Sequence, residues 1–218
     1  LIKQIEIESS YYGLRLNKSK CNFLDLNGHN ELKFQDGTNL EKAQSETYLG
    51  GVLNQKSDNK EEINARIAST IPIMISLDKF WKKSKCTLRW KLLVHNAVII
   101  SKLTYGLETL QYHQNTFQRI DTFQMKGLRK ILGLEPTFMD RSPENTNEAV
   151  LEKVNNILSE NGTRTNVLKA RKLSEVVEMR RKTLLGHVIR SSDDDPMKKV
   201  TFDNDNQNLK PLDMGHCR

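Results

Sequence analysis

The sequence predicts an α+β fold, mostly α-helical: a small β-rich unit behind one helix, a helical bundle, and a basic C-terminal helical region. Three observations carry this. Short apolar runs separated by turn signals fill the first 53 residues. From Asn59 the apolar residues recur at three, four or seven, as one face of a helix requires. Glycine, threonine and proline then punctuate the chain at helix-sized intervals.

Residues 1–12 read as the end of a helix, with Ile2, Ile5 and Ser9 on one face and Gly13 as its cap. Leu14, Leu16 and Phe23-Leu24-Asp25-Leu26 read as strand, turning at Asn27-Gly28. Leu32-Lys33-Phe34 reads as a second strand before the Asp36-Gly37 turn, and Tyr48 to Leu53 as a third. The first helix of the bundle carries Ile63, Ile67, Ile71, Met74 and Trp81 on one face. Pro72 lacks a backbone donor and clashes with the preceding turn, so a kink or break is expected near Ile71. The next helix runs from Thr87, its N-cap, to Tyr105, with Leu88, Leu92, His95, Ile99 and Leu103 inward and Gly106 at its end. A third runs from about Thr116 to Leu132, with Phe117, Ile120, Phe123, Leu128 and Ile131 inward and Gly133 as C-cap. Short connections make these three a bundle.

The region 135–147 reads as a linker, and Asn147 to about Ser159 as a short helix. Asn161-Gly162-Thr163 reads as a turn. It fits the glycosylation pattern, which carries little weight without a secretory signal. A basic helix follows from Arg164 to Ile189. From Ser191 the chain turns polar, and a disordered tail is expected. The domains expected are therefore 1–55, 59–134, 135–163, 164–190 and a tail, 191–218.

The 218 residues suffice for one large domain or two small ones. Thirty-four Lys and Arg against 27 Asp and Glu give +7, which favours an anionic partner, nucleic acid first, if the charge clusters on one face. Cys21, Cys86 and Cys217 are widely spaced, odd in number and in no metal-ligand pattern. They argue against a disulfide framework and for a reducing intracellular compartment. No apolar run is long enough to span a membrane, and no signal peptide is visible at the start. The first residue is not Met and the last residues carry no terminating signal, so a fragment is expected.

Two stretches carry the functional reading, Gly13-Leu14-Arg15-Leu16-Asn17-Lys18-Ser19-Lys20-Cys21 and Tyr48-Leu49-Gly50-Gly51. Three more follow: Leu88–Leu110 with Glu62–Ile67 and Lys79–Lys83 before it, Phe123–Gly133, and Arg180–Arg190. In this order they resemble the end of the palm, the primer grip, the thumb and the region beyond it in reverse transcriptases of non-LTR (LINE-type) retrotransposons. The likeness covers about Tyr11 to Val200. Departures include Cys21 where Thr or Ser is common, His95-Asn96 in place of Tyr-Asn, and Leu185 where Trp or Phe is common.

The resemblance implies an RNA-directed DNA polymerase whose Mg²⁺-binding aspartates lie upstream of this chain, with no cofactor in the fragment itself. The fragment is expected to be inactive alone and to work with the upstream polymerase domain of the same polypeptide. Residues 1–55 would be a palm remnant with the primer-grip hairpin (Tyr48, Leu49, Gly50 and Gly51), and 59–134 a thumb-like bundle. Lys20 matches a lysine proposed to donate a proton to the pyrophosphate leaving group; the plainer reading is a solvated lysine at a strand end. The implied partner is an RNA template with a DNA primer, and the implied location is nuclear and cytoplasmic, with no membrane contact.

Candidate duplex-binding cations are Arg66, Lys82, Lys83, Lys85, Arg89 and Lys91, then Arg180, Arg181 and Lys182. Phosphate contacts would make affinity fall steeply with salt, by roughly −0.9 in log–log slope per contact on B-form duplex. The plainer reading is a solvated loop for the first group and an interdomain helix for the second. Trp81 and Trp90 are read as core, with base stacking as the alternative. His95 and His187 are read as packing residues, and Asp193–Asp195 as a solvated turn. Two other classes of function stay open: a degenerate or domesticated nucleic-acid-binding module without activity, and a helical protein-interaction adaptor.

Overall fold

A computed structural model describes residues 1–25, 31–48, 50–55, 59–110, 114–159 and 169–202. The chain is a mostly helical α+β protein with two small two-stranded sheets among the described residues. Its described residues divide into two compact units, Leu1–Glu62 and Ile63–Phe202.

The first unit opens with α1 (Ile2–Tyr11). Its end is closed by Gly13 N donating to Ser10 O and Leu14 N to Ser9 O. That use of Leu14 is why the expected strand at Leu14–Leu16 does not form: the backbone there finishes the helix. β1 (Asn22–Leu24) pairs in parallel with β2 (Glu41–Ala43). Leu32–Phe34 makes only an isolated bridge, Lys33 to Asn39, around the Asp36-Gly37 turn. The expected strand from Tyr48 to Leu53 is instead an antiparallel hairpin, β3 (Ser45–Tyr48) with β4 (Gly51–Asn54).

In the second unit α2 (Asn59–Ser76), whose first turn holds the unit boundary, continues as helix through Pro72. The expected break near Ile71 is absent. Pro72 and Ala68 are both exposed, so water can take the carbonyl that the proline leaves without a donor. The chain turns later, at Leu77 (φ −85°, ψ 7°), into α3 (Asp78–Lys83). Trp81 therefore lies on α3 rather than on the face of α2.

Thr87 caps α4 (Leu88–Val94) by accepting from Trp90 N at 3.3 Å. The helix then widens into a π-helical turn, His95–Ile100, before α5 (Ser101–Thr104). Leu88 is 39% exposed, against the inward position read from the sequence, while Leu92, His95, Ile99 and Leu103 are buried. Gly106 (φ 68°) ends this rod, and Gly133 (φ 71°) ends α6 (Gln114–Leu132). α7 (Asn147–Ser159) and α8 (Leu173–Arg190) follow.

Two apolar clusters fill this unit. Trp81, Leu92, Ile99, Leu128 and Val154 anchor one; Ile63, Leu103, Phe117, Ile120 and Val177 anchor the other. Phe123 packs against both. The π-turn lies where the rod passes from one cluster to the other, so the adjacent Ile99 and Ile100 are both buried, one in each.

The region 135–147 is more than a linker. The buried Arg129 guanidinium donates to Asn145 Oδ1 (2.9 Å), Asn145 O (2.8 Å) and Asn147 Oδ1 (2.8 Å). Asn145 Nδ2 in turn donates to Glu135 O and Asp140 O, both at 2.9 Å. A charged group pinned by three acceptors orders the segment.

The polar stretch after Ser191 also holds structure, against the expected disorder. Asp195 caps α9 (Pro196–Thr201) by accepting from Met197 N at 2.8 Å, with Pro196 where its missing N–H costs nothing. The Asn27-Gly28 and Asn161-Gly162-Thr163 turns, the run Arg164–Leu168, and the chain from Asp203 lie outside the described residues.

Candidate nucleic-acid interface

The hairpin is built by register and bracing. Tyr48 pairs with Gly51 across the turn, and Gly50 takes φ 82°, a conformation that suits glycine because a Cβ would be strained there. Behind the turn, the first turn of α2 supplies two carboxylates. Glu62 accepts from Val52 N, and Glu61 Oε2 accepts from Asn54 Nδ2 at 3.0 Å. Tyr48 is 66% exposed and Gly50 is exposed, so the tip of the hairpin is open to solvent. Leu49 lies outside the described residues.

Lys20 closes a short 3₁₀ turn, Lys18–Lys20, and is exposed. Its neighbour Lys18 is committed to Asp36 and lies 4.9 Å from the Phe34 ring centroid. That ammonium, then Thr38, hold the Asp36 carboxyl well below the usual carboxylate range. Two residues past Lys20, Asn22 Nδ2 donates to Glu46 Oε2 at 3.4 Å, which ties β1 to β3. Lys20 and the hairpin thus belong to one unit, joined through that contact.

The candidate cations of the second unit fall into different states. Lys83 and Lys85 are exposed. Lys82 pairs with Asp78 at 3.1 Å, and Lys130 reaches the same carboxylate at 2.6 Å. Those two ammonium groups, Lys130 first, pull the Asp78 carboxyl below its ordinary value. Arg89 is half-buried, with Nε enclosed and without a hydrogen-bond acceptor. Lys91 is withdrawn from the surface: it is buried, and its Nζ donates to Trp81 O at 2.6 Å. A buried ammonium spent on a backbone carbonyl has no free reach to a phosphate. Arg66 stacks on Tyr105, its guanidinium carbon 5.5 Å from the ring centroid.

On α8, Arg180 donates to Thr104 Oγ1 at 3.1 Å and Lys182 pairs with Glu178 at 2.9 Å. Arg181 is half-buried. The start of α8 is set by α6: Ser174 N and Oγ donate to Asp121 Oδ1 and Oδ2 at 2.9 and 2.6 Å. A carboxylate at a helix N-terminus satisfies free N–H groups and favours the dipole.

The two tryptophans differ. Trp81 is 2% exposed, its Nε1 donating to Met74 O at 3.3 Å. Trp90 is 55% exposed, against its reading as core, and stands one residue from Arg89. An open indole beside cations is the arrangement that base stacking uses. His95 is buried, with Nε2 unpartnered, and desolvation lowers its pKa to about 4. Its imidazole edge lies against Gly127: a Cβ built there would meet His95 Nε2 at 2.8 Å. His187 is exposed.

The acids after Ser191 are engaged in structure. Asp193 pairs with Lys198 at 2.8 Å, which lowers its pKa, and Asp194 pairs with Lys199 at 3.0 Å. Among the described residues no three His, Cys, Asp or Glu side chains gather as a metal ion would require. None of their helices is long and apolar enough to cross a membrane. Cys21 and Cys86 are free thiols.

Sequence reasoning passed over one cationic row. Arg119, Lys126 and Lys130 stand beside Phe123 along α6 and line a groove against α2. The helical period that places Phe117 and Ile120 inside leaves these positions outside, so the signal was present in the spacing. No family model, curated protein or solved structure matches this chain.

Proposed function

We propose that this chain grips a primer–template duplex as part of an RNA-directed DNA polymerase of the non-LTR retrotransposon type. The observation that carries the reading is the hairpin. Tyr48 and Gly50 form an open tip, and Glu61 and Glu62 of α2 hold its second strand. A glycine-bearing turn of this kind lets backbone come close to a phosphodiester. Supporting it in the second unit are the exposed Lys83 and Lys85 and the open indole of Trp90.

In this reading residues 48–51 seat the primer end, while Lys83, Lys85 and Arg89 track the backbone of an RNA–DNA hybrid. Trp90 stacks on a base or ribose, and Lys20 stands near the leaving pyrophosphate. Mg²⁺ in the parent enzyme supplies charge neutralisation at the transferred phosphate. The Asp193–Asp195 run does not fit that role, because two of its carboxylates bind lysines and the third caps α9.

The test is fluorescence anisotropy of a labelled RNA–DNA hybrid over a salt series. Binding should weaken steeply with salt, and a Lys83→Glu, Lys85→Glu double variant should flatten the slope by about two phosphate contacts. Tyr48→Ala should weaken binding of a hybrid with a recessed primer end more than that of a blunt one. No binding at low salt overturns the proposal. Primer extension by the chain with Mg²⁺ and dNTPs should be absent; extension would show that the catalytic carboxylates lie within it.

A further inference from the structure

A groove of about 450 Å³ runs between α2 and α6 in the second unit. Ile67, Ile71 and Met74 of α2 and Phe123 of α6 line its floor. Ile71 is 42% exposed, which leaves a large apolar side chain in water. Gly127 lies in the wall between Phe123 and Lys130, where Met74 Cε packs 3.5 Å from the position its Cβ would take. From Ile67 to Met74 the floor covers about 10 Å of helix, and the opposite row from Arg119 to Lys130 about 16 Å. That is two to three turns of a docked helix.

The rim is cationic. Arg119 and Lys126 are exposed along α6 and step toward Lys130 at seven and four residues, which is helical spacing. Lys130 is itself committed to Asp78, a carboxylate it shares with Lys82. We propose that this groove docks an acidic amphipathic helix of a partner protein. Two or three apolar anchors at i, i+4 and i+7 would fill the floor, and carboxylates on the flank would face Arg119 and Lys126. A bare phosphodiester backbone fits less well, since it would cover Ile71 and Phe123 without burying apolar surface of its own. The proposal goes beyond the duplex reading and does not depend on it.

The experiment uses the full chain and a fluorescein-labelled helical peptide of about four turns, with leucines at i, i+4 and i+7 and glutamates beside them. Saturable binding is expected at low salt. Ile71→Gln and Lys126→Glu should each weaken it about tenfold, one by lost burial and one by lost charge pairing. A peptide with lysine replacing one flanking glutamate should recover affinity for Lys126→Glu, and both variants should keep the wild-type circular dichroism spectrum. Arg119→Glu gives a second charge reversal should Lys126→Glu fold poorly.

Three results would overturn the proposal. The peptide could fail to bind at low salt. Ile71→Gln could leave affinity unchanged, which would reduce the effect to non-specific charge attraction. Or an RNA–DNA hybrid could displace the peptide and lose affinity through Lys126→Glu but not Ile71→Gln, which would make the groove a nucleic-acid site.

Discussion

Among its described residues the unit Leu1–Glu62 buries one apolar side chain, Phe34, together with the polar Asp25, Asn54, Asn59 and Glu62. The unit from Ile63 encloses two apolar clusters anchored by Trp81 and Phe117. The first holds its strands by polar fastenings, such as Lys18 to Asp36, Lys42 to Asp25 at 3.1 Å, and Glu62 to Val52. The second holds its helices by burial. Partly exposed ion pairs contribute little each, whereas a buried aromatic contributes several kcal/mol. The unit with the open hairpin should therefore open locally more readily than the unit with the cationic bundle.

The strongest challenge to this contrast is Trp81→Ala. It removes the largest side chain of one cluster and should cost about 4 kcal/mol in chemical denaturation followed by helical ellipticity. A loss below about 1 kcal/mol would mean that the bundle does not depend on its core in this way.

Acid provides the next test. His95 has an ordinary value of 6.5 and is lowered to about 4 by burial, so it is neutral when folded. The unfolded chain binds this proton first. Stability from His95 is full above about pH 6.5 and falls as pH drops to about 4, by about 3 kcal/mol across that window. Urea midpoints measured from pH 7 to pH 4 should show this slope, and His95→Phe should flatten it.

Two glycines sharpen the comparison within one unit. Gly127→Ala puts a methyl 2.8 Å from His95 Nε2, a ring held by its surroundings, and should cost about 2 kcal/mol despite the better helix propensity. Gly186→Ala meets the Arg190 guanidinium, Nη1 nearest at 3.2 Å, the far end of a flexible side chain that can move away. It should stabilise by up to about 1 kcal/mol. Thermal melts of the two variants should shift in opposite directions.

The smallest expected effect compares the units directly. Hydrogen exchange at the Val52 amide, in the hairpin, should run well ahead of that at Leu128, inside α6. Equal protection would show that the polar fastenings hold as firmly as the packed core.

Much of the bundle was legible. Thr87, Gly106 and Gly133 mark helix ends through local backbone chemistry, and the spacing of Phe117, Ile120, Leu128 and Ile131 marks a buried face. The candidate site was less legible. Lys91 and Lys85 look alike in a basic run, yet one is buried on a carbonyl and the other is exposed. Trp81 and Trp90 look alike too, yet Trp81 on α3 is core and Trp90 on α4 is surface. Which side of a short helix faces inward depends on the neighbour it meets, and that neighbour is distant in sequence.

The sequence by itself determined where α4 begins and where α5 and α6 end, because Thr87, Gly106 and Gly133 act within a turn or two of the chain. The tertiary structure alone decided that α2 continues through Pro72, that α4 widens at His95, and that Asp121 of α6 sets the start of α8. It also decided which cations remain free to meet a partner. The π-turn and the start of α8 rest on contacts between residues far apart in the chain, and periodicity carries no record of such contacts.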